Sequence, residues 1–426
     1  MTNISQYVRE AVELRRRIHR RPEEGWTEFE TTYLVAQTLE SLGYSVRLGT
    51  EIVDPENVLG RDPELVEEAV DRALANGVPA SFIERTEGYT GVVAELITRR
   101  EGPVTAFRFD MDCVLVDEST EADHMPYAEG FASERPGLMH ACGHDAHTAT
   151  GLALAHWLVD NRQELVGTVR LIFQPAEEGT RGAAAMAAAG VVDDVDWFFG
   201  AHVGVSCAPG EVGIVEKGFL ATTKLDIAFT GQASHAGAEP HKGKSALMAA
   251  AACALMLQGI PRHGEGDSRI AVGKLMAGEG RNVTPVHATM QLEVRGQTAE
   301  VNDFMTDNVY RIAQGVASAY GVEVEVTKVG QATTLVASPE ANYVLSQAAE
   351  KIPGVRVLEL NRGGGSEDCS ILVRRVQEKG GKAGFFFYGC RHKGHHRSDF
   401  DIQDTQNLPL ALEMFVNILE ITNTGR

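Results

Sequence analysis

The chain has 426 residues, 43% of them hydrophobic and 23% charged. That is globular composition rather than disorder, and the length exceeds the roughly 250–300 residues at which a single core stops growing, so two domains are expected. Lys+Arg number 39 against 59 Asp+Glu, a formal charge of −20; this argues against nucleic acid and anionic membrane as partners, while a small anionic substrate needs only a few local cations.

Residues 1–26 hold no apolar run behind their basic side chains and carry too many acids for a transit peptide. No stretch of about 18 apolar residues occurs, so no membrane span is expected. The six cysteines, Cys113, Cys142, Cys207, Cys253, Cys369 and Cys390, form no CxxC pair. A reducing cytoplasm is the expected compartment.

In chain order, residues 4–20 predict a helix, with Ile4, Val8, Ala11, Leu14 and Ile18 at steps of three and four. A second helix is expected over 30–43 and a short strand over 44–48. Residues 63–75 predict a helix opened by Asp62 as cap and Pro63 at its first position, inside a charged stretch that reads as an insertion or lid. Strands follow at 91–98 and 103–116, then a helix at 147–160 and strands at 167–175 and 195–204. Strands alternate with helices, and polar residues collect at strand C-termini. That is the pattern of an open α/β sheet with its site at the carboxyl edge.

The pattern changes near residue 222. Strands at 225–231, 270–278, 288–296 and 322–330 alternate with helices at 244–258 and 299–319, the β-α-β-β-α-β order of a ferredoxin-like unit. The expected division is a discontinuous larger domain, 1–221 and 330–426, interrupted by a small domain at 222–329. Residues 331–426 return to α/β, with a buried strand at 385–389 and a closing helix at 406–421.

Five clusters carry chemistry. Met139–His147 places Cys142 and three histidines within nine residues just before a helix. An extended loop there would turn Cys142 and His144 to one side, and thiolate with imidazole suits zinc or another late first-row metal, though manganese occupies mixed sites. His140 and His147 are the lesser candidates. Glu177-Glu178 follows an apolar strand; one carboxylate can bind metal while its neighbour serves as general base. Asp110 and Asp112 share a strand end, where period two aims both the same way and one can orient a metal-binding histidine. His202 closes another strand. Arg391–His396 is a basic, histidine-rich loop. Each alone also reads as a solvated turn, a cap or a packed side chain; their joint fall at strand ends points to a metal site. Gly363–Asp368 either holds the chain near that site or caps a helix. No HExxH or GxSxG occurs, and the stretch ending Gly243-Lys244-Ser245 misses a Walker A because Ala238 stands where glycine is needed.

The segments DMD, MHACGHDAHT, FQPAEEGTRGA, AHVG, GQASHAG, GEGRNVTP and HH-x-x-x-F resemble, nearly end to end and in order, the dinuclear-metal amidohydrolases of the aminoacylase/carboxypeptidase type. The nearest branch is that of auxin-conjugate hydrolases and N-acyl-amino-acid amidohydrolases. The resemblance implies an open mixed-sheet, metallopeptidase-like catalytic domain and an inserted dimerisation domain. It implies one or two divalent metals per chain, manganese or zinc, held by Cys142 (a bridging thiolate), His144, Glu178, His202 and His396, with His395 as the fallback for the last. It matches Glu177 to the general base and Asp112 to the acid behind a ligand. His235 matches a histidine that reaches a partner subunit's site and steadies the oxyanion. Asn282 and Arg295 match positions that bind the substrate carboxylate. The implied reaction is cleavage of an N-acyl or N-aroyl amino acid (p-aminobenzoyl-glutamate-like), by a homodimer or with a related second subunit. Hydrolytic deamination of an activated aminobenzoate ring would use the same ligands and base, and a non-catalytic metal-binding subunit is the rival of another class. Cys113-Val114 stands where the branch often has Ala-Leu, which alters the wall beside the site.

Overall fold

A computed structural model of the protein describes residues 4–361 and 365–424. Gly363 and Gly364 of the glycine-rich segment lie outside the described residues. The chain divides into two compact units, one running to residue 218 and resuming at 335, the other spanning 219–334 with a short return after 364.

The larger unit is built on an eight-stranded mixed sheet. Its order is Ser45–Arg47, Val92–Ile97, Thr168–Gln174, Val104–Asp110, Trp197–Val203, Lys382–Tyr388, Glu211–Val215, Arg356–Leu360. The four strands 168–174, 104–110, 197–203 and 382–388 run parallel. Each is buried along nearly its whole length, as strands covered on both faces must be. Helix His144–Asp160 lies against the sheet at Gly151, where a Cβ would meet the Phe109 and Phe173 rings at 2.6 and 2.8 Å. Phe415 of helix Asp404–Thr422 packs edge-on to Phe107 and Phe109. On the other face Gly200 leaves room for Cys369, the first residue of helix Cys369–Glu378.

Helix Ser5–His19 is joined to this core by charge as well as packing. Arg15 is fully buried, with Asp145 at 2.7 Å, Asp401 at 3.0 Å and Asp404 at 3.4 Å. His19 sits between Asp145 and Glu118, at 2.7 and 2.9 Å. Burial opposes ionisation of Glu118, but hydrogen bonds from His124 and His19 prevail and pull its carboxyl down to about 2. In the charged stretch, Asp62 caps helix Pro63–Ala75 through the Glu64 and Leu65 N–H groups. That helix buries Val66, Ala69 and Ala73 and packs on helix Phe29–Ser41.

Two expected boundaries beside the strand ends move. The strand read as 103–116 ends at Asp110, and beyond it Cys113 and Val114 make only isolated bridges to Glu24 and Met139. The helix read from 147 starts at His144.

The smaller unit is a four-stranded antiparallel sheet ordered Glu323–Ala332, Ala221–Thr230, His287–Gly296, Ser268–Ala277. Helices Ala246–Gln258 and Ala299–Tyr320 cover one face over a core that includes Phe229, Cys253, Met290 and Val309. This is the split βαββαβ arrangement. Helix Ala246–Gln258 is apolar all round. It buries Ala249, Ala250, Cys253 and Leu257 yet leaves Met248, Leu255 and Met256 exposed, Leu255 at 78%. The edge strand beside it exposes Leu275 and Met276. No helix among the described residues is long and apolar enough to cross a membrane.

Candidate metal centre

The carboxyl ends of the four parallel strands meet in register: Asp110 opposite Gln174, and His202 and Val203 opposite Phe387 and Tyr388. Each strand carries an acid or a histidine at its end or hands over to a loop that does. The site therefore follows from the sheet, as in open α/β folds generally.

Cys142 and His144 converge, but not through an extended loop. Gly143 is left-handed (φ 92°) and begins the helix, so the chain reverses between the two side chains. A Cβ on Gly143 would meet Val203 Cγ1 at 2.4 Å, which leaves glycine as the residue that fits. His202 Nδ1 donates to the Val203 carbonyl (2.8 Å), leaving Nε2 as a lone pair 3.4 Å from Cys142 Sγ. His396 Nε2 lies 3.1 Å from Glu178 Oε1. His395 turns the other way, toward the Val203 carbonyl at 3.1 Å. Two trios thus form, Cys142–His144–His202 and Cys142–Glu178–His396, each with ligand atoms within 4.8 Å of one another and with Cys142 in both. Glu177 joins His144 and Glu178 in a third.

Asp112 ties these parts together. Its Oδ1 receives the Glu177 N–H and its Oδ2 the Glu178 N–H, at 3.1 and 2.8 Å. Oδ1 also meets His144 Nδ1 at 3.2 Å, so His144 presents Nε2 forward. Asp110 lies 3.9 Å from His144 Nε2 but hydrogen-bonds a different histidine. It holds His147 Nδ1 at 2.5 Å and is paired with Arg108 at 2.6 Å. His147 Nε2 accepts the Val203 N–H. Both His147 nitrogens are thereby used in holding the strand ends together.

These residues fit divalent cations. Among the described residues the buried His144 Nε2 has no hydrogen-bond partner. Burial alone would discharge His144, yet the Asp110 carboxylate and the Asp112 hydrogen bond drive its imidazole well above the usual range, so the pocket favours a cation. Burial and the neighbouring His147 and His395 keep His202 neutral, the ligating form. Burial and the Glu178 carboxylate push the Cys142 thiol up, so a bound cation would be needed to hold it as thiolate.

The other expected residues lie in the smaller unit. His235 is exposed, and its Nδ1 accepts the Gly237 and Ala238 N–H groups at 3.2 and 3.0 Å. The Ala236 N–H donates to the Asn282 carbonyl, so these two segments run side by side. Asn282 and Arg295, expected together on one carboxylate, are not brought together. Asn282 precedes the strand His287–Gly296, Arg295 stands near its far end, and its guanidinium is engaged by Glu293 at 2.9 Å.

A buried acid that sequence reasoning passes over also reaches this loop: Glu28 accepts the Ala176 N–H at 2.7 Å. Its place just ahead of helix Phe29–Ser41 reads as an ordinary helix cap, and nothing local marks it.

A model of peptidase family M20/M25/M40 matches residues 106–421. A p-aminobenzoyl-glutamate hydrolase subunit of Escherichia coli (strain K12) is 45% identical over 404 residues, covering 94% of this chain and 92% of that one. Indole-3-acetyl-aspartic acid hydrolase of Enterobacter agglomerans is 43% identical over 422 residues, 97% of each. The crystal structure of aminobenzoyl-glutamate utilization protein from Klebsiella pneumoniae aligns with a TM-score of 0.83 at 37% identity over 98% of both chains. A Bacillus subtilis protein described as a dinuclear metal binding peptidase from the M20 family aligns with a TM-score of 0.67 at 26% identity, again over 98% of both.

Proposed function

Because the chain belongs to peptidase family M20/M25/M40, we propose that it hydrolyses the amide bond joining an aromatic acyl group to an acidic amino acid, with Glu177 as general base. Amidohydrolase activity accords with the hydrolase names of its relatives. Those names pair p-aminobenzoyl with glutamate and indole-3-acetyl with aspartic acid, and this supports the substrate class. The observation that carries the reading is the pair of trios sharing Cys142, with Glu177 beside them.

Cys142, His144 and His202 would hold one divalent ion, and Cys142, Glu178 and His396 a second; both would be manganese or zinc. When bound, such ions polarise a carbonyl and bring the pKa of water toward neutrality. Glu177 takes the proton of the attacking water and returns it to the leaving nitrogen. Asp112, through the Glu177 N–H and His144 Nδ1, keeps base and ligand in fixed relation. That none of the six cysteines is paired in a disulfide supports a cytoplasmic setting.

The protein with its metals restored, offered p-aminobenzoyl-glutamate, indole-3-acetyl-aspartate and an aminobenzoate, is expected to release glutamate or aspartate. Ammonia without free amino acid would sink the amidase reading in favour of ring deamination.

Two copies are proposed to pair through the exposed face of helix Ala246–Gln258 and the edge strand Ser268–Ala277, with His235 of one copy steadying the oxyanion in the other. An all-apolar helix beside an unpaired apolar edge supports this. Leu255→Glu with Met276→Glu is expected to convert a dimer to a monomer in sedimentation and to abolish hydrolysis. An active monomer would remove His235 from the mechanism.

A further inference from the structure

The loop that carries Glu177 is held in a conformation that alanine disfavours. Ala176, immediately before the base, has φ 51°. A non-glycine residue in the left-handed region costs about 1–3 kcal/mol and persists only when its surroundings over-determine it. Here both sides of the residue are bound. The Ala176 carbonyl accepts the Arg181 and Gly182 N–H groups, at 3.1 and 2.9 Å. The Ala176 N–H donates to Glu28 Oε1 at 2.7 Å.

Glu28 is fully buried and stands at the start of helix Phe29–Ser41, yet its side chain makes no capping hydrogen bond there. Instead Oε2 accepts the Thr90 hydroxyl at 2.6 Å while Oε1 faces Ala176. The approach is close because residue 25 is glycine: a Cβ there would meet Ala176 Cα at 2.8 Å. Three successive N–H groups, those of Ala176, Glu177 and Glu178, are thus received by two carboxyl groups, Glu28 and Asp112. Burial and the nearby Asp112 carboxylate hold the Glu28 carboxyl up at about 8. Such a group is retained at a cost, and a surface-exposed cap would not need it.

We propose that Glu28 is a positioning residue for hydrolysis: by holding the Ala176 N–H it keeps the loop left-handed and fixes the direction in which the Glu177 carboxylate points. The idea rests on Glu177 being the base. Displacement of a catalytic group by about 1 Å can cost on the order of 100-fold in rate without loss of binding.

The test compares Glu28→Ala and Glu28→Gln with the unaltered metal-loaded protein, and adds a crystal structure of the alanine variant. Glu28→Ala is expected to keep its metal content and KM and to lose on the order of 100-fold in kcat. Glu28→Gln, which retains an acceptor for the Ala176 N–H, is expected to recover most of the rate. Ala176 should leave the left-handed region in the alanine variant. A folded alanine variant with unchanged kcat would overturn the proposal, as would a kcat loss that saturating metal repairs. If Glu28→Ala does not fold, Glu28→Asp replaces it, since a side chain one methylene shorter keeps the carboxyl group but draws it back from the Ala176 N–H. A lower kcat at constant KM then supports the role, and an unchanged kcat overturns it. Should the unaltered protein cleave no conjugate, the functional reading fails by itself. The crystal structure then decides: Ala176 retained at positive φ overturns the positioning role, and its departure supports it.

Discussion

Glu177→Ala is expected to lower kcat by roughly 10²–10⁴-fold, the usual worth of general acid–base catalysis, with the metal content unchanged. The variant isolates the proton transfer because the loop is held through its backbone. The Glu177 N–H, not its side chain, binds Asp112, and the two trios around Cys142 do not include it. Glu178→Ala should behave differently, since Glu178 belongs to one of those trios. It should lose metal along with activity. Steady-state kinetics with metal analysis on both variants makes the comparison. Full activity in metal-loaded Glu177→Ala would place the base elsewhere.

The second large effect concerns stability. Arg15→Ala is expected to destabilise the protein by about 3–5 kcal/mol, the cost of breaking a buried ion pair by removing one partner. Arg15 is the cation shared by Asp145, Asp401 and Asp404, all of them largely or wholly buried. Arg16 reaches Asp404 too, at 2.8 Å, but it is partly exposed and does not touch Asp145. Asp145 also follows the candidate ligand His144 in the chain, so the loss should loosen the start of helix His144–Asp160. Arg15→Lys should recover only part of the loss, because an ammonium cannot reproduce the forked contacts of a guanidinium. Denaturant unfolding of the three proteins checks this. A loss below about 1 kcal/mol, the level of an exposed pair, would mean that the three acids do not depend on Arg15.

Much of this was legible in the sequence, for identifiable reasons. Parallel strands buried on both faces leave apolar runs ending in polar residues, so Asp110, Gln174 and His202 announce a carboxyl edge. The Asp62-Pro63 start of a helix is chemical and local. The βαββαβ order is readable because helical and strand periods alternate cleanly. What was not legible depends on backbone geometry or on distant partners. The reversal at Gly143 looks like an extended loop until its φ is known, and so the helix start at His144 was missed by three residues. The separation of His395 from His396 depends on the Val203 carbonyl, a partner nearly two hundred positions away. Arg295 resembles a carboxylate binder by position, but Glu293, two residues before it on the same strand, takes its guanidinium. Glu28 sits in a run of acids and glycine with no motif of its own.

The sheet order has a consequence for how the chain is made. Strand Lys382–Tyr388 is not an edge: it lies between Trp197–Val203 and Glu211–Val215, which it pairs in parallel and antiparallel fashion. Both neighbours leave the ribosome more than 160 residues earlier, and the whole smaller unit is synthesised in between. Until the late strand arrives, the larger sheet has a vacant slot in its interior, flanked by apolar edges that can pair with a strand from another nascent chain. Closing that slot is a long-range step of the slow kind. A nascent-chain chaperone is therefore expected to matter most for this protein over the interval between residues 215 and 388.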